Sequence, residues 1–342
     1  MEISGDLGRA LPSRQCSHFR VGGVTVEVSG ERGDDIALVP SAEPFRVSAG
    51  ASDIDIQVEW VERLGRESGR RLFDSGSIWK LYKGETGFQF DFSAPVFGER
   101  PYKRLFVDES FCGAVLHMSQ ESFAGSDGVT GALGYPLDEL LIMHRLTQEK
   151  AIELHGCGIV SADGVGNLFV GHSGAGKSTT TRLWMASEAV EILSDDRIIV
   201  RLDEGRSMVE TPVRATGDAD REGILRLRDC SASRNSCSAQ DDRVMRMYGT
   251  PWHGEAMFAS PASAPLTRIL VLEHGHGNVL TQLSSSQAVA ELFARSFVPM
   301  HRHEYVESAL EFLQSVAESI PCYRYSFEPD SRAVDKILNL HD

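Results

Sequence analysis

Short runs of alternating apolar and polar residues dominate the first third of the chain. Ile54-Asp55-Ile56-Gln57-Val58-Glu59-Trp60 keeps the alternation throughout, as a strand with one buried face does. Phe19-Arg20-Val21 and Val24-Thr25-Val26-Glu27-Val28 flank the turn pair Gly22-Gly23. Ser77-Ile78-Trp79-Lys80-Leu81-Tyr82 and Phe88-Gln89-Phe90-Asp91-Phe92 predict a second hairpin across Lys83 to Gly87. Further strands are expected over 103–108 and 114–118. Residues 1–134 therefore read as an antiparallel, β-rich N-terminal domain with no catalytic constellation of its own.

The period changes at Tyr135-Pro136. Leu137, Leu140, Leu141, His144 and Leu146 fall near helical spacing, with Pro136 suited to a first turn. A strand over 151–160, a tight turn over 161–166 and a second strand through Leu168-Phe169-Val170 come next. Two strands joined so closely must be antiparallel neighbours. A helix over 179–186 leads to a strand over 189–193, the acidic pair Asp195-Asp196, and a strand at 198–200. Residues 203–243 form a polar stretch long enough to be an insertion with its own role or no fixed structure. Beyond it the pattern predicts a strand over 267–273, helices over 286–297 and 304–319, a strand over 323–327 and a helix over 331–340. The second domain, 135–342, is thus α/β, a mixed sheet flanked by helices.

Composition narrows the classes. The chain has 342 residues, 42% hydrophobic and 24% charged, within the globular range. A formal net charge of −15 argues against nucleic acid as a partner. No apolar run is long enough to span a membrane, and the N-terminus lacks the layout of a signal peptide. Six cysteines stand without C-x-x-C spacing and read as free thiols of a cytoplasmic protein.

The chemistry concentrates in Gly171-His172-Ser173-Gly174-Ala175-Gly176-Lys177-Ser178-Thr179. This is G-x-x-x-x-G-K-[ST] between a strand and a helix, the setting a phosphate cradle requires. Backbone N–H groups of Gly171, Ser173, Gly174, Ala175 and Gly176 can turn toward a phosphate, aided by the helix N-terminus. Lys177 would neutralise the β- and γ-phosphates of ATP. The Ser178 hydroxyl would hold Mg²⁺, with Thr179 beside it. Phosphoryl transfer also needs a carboxylate for the metal and a group that takes a proton. Asp196 is assigned to the metal and Asp195 to general base catalysis. Adjacent residues on extended chain face opposite sides. His155, on the preceding strand, is expected to pair with Asp195.

Other residues leave alternatives open. In the loop Gly249-Thr250-Pro251-Trp252-His253-Gly254-Glu255 the indole could stack on a base or acceptor, or lie buried in a rigid turn. Arg246 is a candidate charge-stabilising arginine. His172 should face solvent. His301 and His303 lack a third ligand and read as an exposed helix start. His274 and His276 read as turn residues.

Leu154-His155-Gly156, the 171–178 loop and Leu193-Ser194-Asp195-Asp196, in this order and spacing, resemble the HPr kinase/phosphorylase-like family. That family belongs to the P-loop group that includes the phosphoenolpyruvate carboxykinases. The resemblance covers roughly residues 136–342. It implies a His155–Asp195 catalytic dyad and an assembly of several copies. The R-G-L-G-I signature of the HPr enzymes has no match here, so HPr itself is not implied as acceptor. The Gly249 to Glu255 loop resembles that of a bacterial subgroup, some of whose members accompany peptide-modifying gene clusters. The expectation is an ATP- and Mg²⁺-dependent kinase acting on a serine-like hydroxyl of a peptide, protein or small molecule. The alternative is a nucleotide-binding sensor with little or no transfer.

Overall fold

The computed structural model describes residues 14–67, 69–98, 100–124, 131–187, 190–204 and 243–340. The expected insertion at 203–243 lies almost entirely outside the described residues.

Nine strands build the first sheet: β1 (Gln15–Val21), β2 (Val24–Gly30), β3 (Arg46–Val47), β4 (Ile54–Val61), β5 (Arg70–Asp74), β6 (Trp79–Lys83), β7 (Phe88–Phe92), β8 (Lys103–Val107) and β9 (Gly113–Ser119). Their order across the sheet is β3-β1-β2-β4-β9-β8-β7-β6-β5. Both expected hairpins form, with Val21 opposite Val24 and Lys83 opposite Phe88. The expectation of a wholly antiparallel sheet needs correction. β4 lies parallel to both of its neighbours, β2 and β9. The reason is connectivity: a long crossover separates β2 from β4, and the β5–β8 meander intervenes before β9, so neither pair is joined by a tight turn. Inward-facing residues Val26, Val28, Ile54, Ile56, Phe90, Leu105 and Leu116 make the core of this half.

After the short α1 (Gln120–Phe123), helix α2 (Leu137–Leu146) packs into that same core through Leu137, Leu140, Leu141 and Ile142. Ile199 and Trp252, from later in the chain, join it as well. The β1–β2 turn abuts the second half directly. Gly22 and Gly23 have φ of 58° and 83°, and a Cβ on Gly22 would stand 2.6 Å from Ile199 Cδ1. Glycine is required there both for the turn and for the approach.

The second sheet contains β10 (Ala151–Val160), β11 (Gly166–Val170), β12 (Glu191–Ser194), β13 (Arg197–Glu204), β14 (Arg243–Tyr248), β15 (Ser263–His274), β16 (Val279–Gln282), β17 (Ser296–Phe297) and β18 (Cys322–Phe327). β10 and β11 are antiparallel neighbours, as their short connection demands. β15 is longer than the sequence pattern predicts. Its first residues pair with β14, and the remainder runs parallel to β11 and β18. The sheet is therefore mixed. Alternation along β11 and β15 assigns its two faces. Phe169, Leu270 and Leu272 pack with Trp184 of α3 (Lys177–Ser187) and with Val334 and Ile337 of α6 (Ser331–Leu338). Leu168, Val170, Ile269 and Val271 pack with Leu292 of α4 (Ser285–Phe293) and with Phe312 and Leu313 of α5 (His303–Ser319). The helix expected over 286–297 ends at Phe293. Residues 296 and 297 instead pair with Leu154 and Glu153 of β10, and Pro299 lies too close for the helix to continue.

His144 and His301 pack in an aromatic cluster between α2 and the start of α5, their tilted rings 5.2 Å apart at the centroids and His144 stacked 4.5 Å from Phe111. Burial lowers the pKa of His144 to about 3 and that of His301 to about 4. Both are neutral in the fold, whereas a histidine of the unfolded chain protonates near 6.5. Acidification through 6.5 therefore protonates the unfolded chain first and removes stability, until the folded values are reached. We expect His144 alone to cost about 2 kcal/mol between pH 7 and pH 5. Thermal melts across that range should fall less steeply for His144→Leu than for the parent; parallel profiles would contradict this assignment.

Candidate active site

The strand–loop–helix at 166–187 is set by its glycines. Gly174 and Gly176 have φ of 82° and 103°, where a side chain is strained. A Cβ on Gly171 would come within 2.7 Å of the Ala175 Cβ, and one on Gly176 within 2.5 Å of the Phe327 ring. The loop is thus tight at two of its glycines for steric reasons alone. Ser173 and Gly174 are exposed at its tip, as is His172, while Ala175, Gly176, Ser178 and Thr179 are half-buried. Lys177 opens α3 and is buried at 7% exposure. Its Nζ donates to the carbonyls of Gly171 (3.0 Å) and His172 (3.3 Å). Burial lowers its pKa, partly offset by the charge of Asp196.

β10 brings the second component alongside. The Gly171 amide donates to the His155 carbonyl (3.4 Å), and the Gly156 amide to the Asp196 carbonyl (3.1 Å). The base of the loop, His155 and Asp196 are therefore locked together through backbone. The His155 Nε2 lies 2.9 Å from Asp196 Oδ1. Burial raises the Asp196 pKa, but the hydrogen bond from His155 and the charges of Arg197, His155 and Lys177 outweigh it and hold the carboxyl below its ordinary value.

The expected His155–Asp195 pair does not form: the histidine meets Asp196 instead. Asp195 is 2% exposed and turns the other way, into the 249–259 loop. There it accepts hydrogen bonds from the amides of Gly254 (3.0 Å), Ala256 (2.9 Å) and Phe258 (3.3 Å). A Cβ on Gly254 would meet Asp195 Oδ2 at 2.9 Å, so the loop crosses directly over the carboxylate. Trp252 is buried, its Nε1 donating to Asp138 Oδ2 at 3.0 Å. Of its two readings the structure has the rigid turn.

Arg246 bonds Ser263 through its guanidinium (3.0 Å to the hydroxyl, 3.2 Å to the carbonyl) and lies 3.6 Å from Asp203. It is a sheet cross-link. The arginine beside the site is Arg197, which contacts Asp196, Glu139 (2.8 Å) and Glu153 (3.4 Å) and stacks 4.1 Å over Phe297. Sequence reasoning missed it, although it directly follows the acidic pair. It missed His274 too. β15 runs in register with β11, Val170 opposite Val271, so its last residue lies alongside the loop. The His274 Nε2 is 2.7 Å from the Gly174 carbonyl. His303 opens α5 and is exposed, as expected, but His301 is half-buried among aromatic rings. No cluster of three or more metal-ligating side chains occurs among the described residues.

Chemically, the site offers a tight glycine-rich loop with a buried cation, a carboxylate kept anionic, and an imidazole bonded to it. Among the described residues no helix is long and apolar enough to cross a membrane. No family model matches the chain, and no curated protein matches it.

Bonds to a buried carboxylate are worth roughly 1.5–3 kcal/mol each. We expect Asp195→Asn to destabilise the chain by about 2 kcal/mol and to accelerate hydrogen exchange at the amides of Gly254, Ala256 and Phe258. Unchanged exchange there would show that Asp195 does not hold the loop.

Proposed function

We propose that the chain is an ATP- and Mg²⁺-dependent phosphotransferase that moves a phosphoryl group to a serine-like hydroxyl on a peptide, protein or small molecule. One observation carries this reading: the buried Lys177 of a glycine-rich strand–loop–helix and the His155–Asp196 pair converge, joined through backbone bonds. The amides of Gly171 and Ala175, expected to face the phosphates, donate instead to the carbonyls of His155 and His172. That leaves the other loop amides and Lys177 to hold the phosphates and draw off charge as it develops on the transferring group. Ser178 offers a hydroxyl and Asp196 a carboxylate that stays ionised, both hard donors. The two Asp196 oxygens already meet His155 and Arg197, so a cation held there would displace one of those partners. Magnesium held there would neutralise phosphate charge.

The proton of the acceptor hydroxyl needs a destination. Asp195 has both oxygens committed to backbone N–H groups, so the role expected of it passes to His155. One nitrogen of that ring faces Asp196, which fixes the tautomer. The other has no hydrogen-bond partner among the described residues and is available to accept the proton. Asp195 then acts as a positioning residue for the 249–259 loop.

The test combines ATP binding with mass spectrometry of hydroxyl-bearing acceptors after incubation with Mg²⁺ and ATP. His155→Asn should lower transfer by about a hundredfold or more while ATP affinity is retained, and Lys177→Ala should lose ATP binding. If Lys177→Ala binds ATP as tightly as the parent, the nucleotide reading fails. If His155→Asn transfers at the parental rate, the proton-acceptor assignment fails alone.

A further inference from the structure

An open cleft of about 880 Å³ lies on the N-terminal sheet, far from the 171–176 loop in sequence. Its walls come from three connections: Arg63, Leu64, Arg66 and Glu67 after β4, Val96, Phe97 and Arg100 after β7, and Ser119, Glu121 and Ser122 where β9 passes into α1. Underlying bonds hold these segments in place. Arg104 is buried, grips Asp91 at 2.6 and 2.8 Å and donates to the carbonyls of Gly65 (3.2 Å) and Arg66 (3.4 Å). The Glu121 amide bonds the Glu62 carbonyl at 3.0 Å. Phe97 packs on Tyr102 and Phe123, with centroids 4.4 and 5.0 Å away.

The charges in the cleft are unevenly satisfied. Glu67 is taken by Lys80 at 2.6 Å, and Glu121 lies 3.7 Å from Arg63. The guanidinium groups of Arg66 and Arg100 pair with no described residue. Beside them Val96 is 83% exposed, the most exposed large hydrophobic side chain among the described residues. A cleft with two unmatched arginines and an apolar ledge is complementary to one kind of partner, acidic and partly apolar, even in a chain whose overall charge is negative.

We propose that this cleft is a docking site for an acidic peptide segment that carries an apolar side chain. Carboxylates of the segment pair with Arg66 and Arg100, and its apolar side chain covers Val96 and the edge of Phe97. This site is independent of the nucleotide reading and would exist were that reading wrong.

The probe is a fluorescein-labelled octapeptide, Glu-Asp-Leu-Glu-Asp-Phe-Glu-Asp, titrated with the full chain and followed by anisotropy. Its Gln/Asn counterpart and inorganic phosphate serve as comparisons. The parent should bind the acidic peptide, with affinity falling about tenfold for Arg66→Glu/Arg100→Glu and several-fold for Val96→Ser. The affinity should also weaken as salt rises. These residues are exposed, so both variants should retain the parental melting temperature. Absence of binding, equal binding by parent and double variant, or equal binding of the Gln/Asn peptide would overturn the proposal. So would full displacement by millimolar phosphate, which would mark a simple anion site.

Discussion

Three carboxylates converge on a single guanidinium, and much of the molecule is arranged so that this is tolerable. Arg197 meets Glu139 from α2, Glu153 from β10 and Asp196 from the turn between β12 and β13. Unpaired charges away from water are costly, and one cation cannot fully match three anions. The excess is relieved at Glu153. Burial, together with the neighbouring Glu139, drives its pKa well above the usual carboxylate range, which favours its neutral form. Asp196, partly open to solvent and bonded by His155, keeps its charge. Because Glu139 sits on a helix that belongs to the N-terminal core, the same guanidinium ties that core to the site. The Thr250 hydroxyl adds a bond to the Arg197 carbonyl at 2.9 Å, which brings in the 249–259 loop. The network therefore links the two halves at the site, beside the apolar contacts of Ile199 and Trp252 with the N-terminal core.

Much of this was readable in the sequence wherever the signal was local. Alternation over 54–60, the Gly22-Gly23 turn and the short 161–166 connection each dictate a strand or hairpin from neighbouring residues alone, and each is present. The parallel placement of β4 was not readable, because nothing within a strand says which distant strand will lie beside it. The length of β15 was hidden for a related reason. Its first residues pair with β14 and alternate buried with exposed or half-buried positions, whereas 268–272, between β11 and β18, are buried on both faces, so no one period runs its length.

The site divides the same way. The loop and Lys177 announce themselves because sterics demand glycine at fixed offsets. The pair Asp195-Asp196 correctly signalled two carboxylates on opposite sides, but not which side was which. That choice depends on the 249–259 loop, whose three amides are distant in sequence and carry no side-chain signature. Arg197 and His274 were overlooked because a single arginine or histidine has a functional meaning only once its neighbours are known.

Under the proposed reading, the state of Lys177 bears on how a phosphate enters. Its ammonium is bound by two loop carbonyls, and the Ala175 amide donates back to the His172 carbonyl at 3.0 Å. The loop thus satisfies itself with neutral acceptors. Burial nonetheless lowers the lysine pKa, so those carbonyls and Asp196 do not fully replace the water that the ammonium has lost. An incoming phosphate exchanges dipolar contacts for charge–charge ones and removes that deficit. The net charge of −15 opposes a polyanion only weakly at a distance, since salt screens it beyond about 10 Å. Under the proposed reading, the local attraction for phosphate comes from this one buried ammonium, whose surroundings hold less negative charge than it can use.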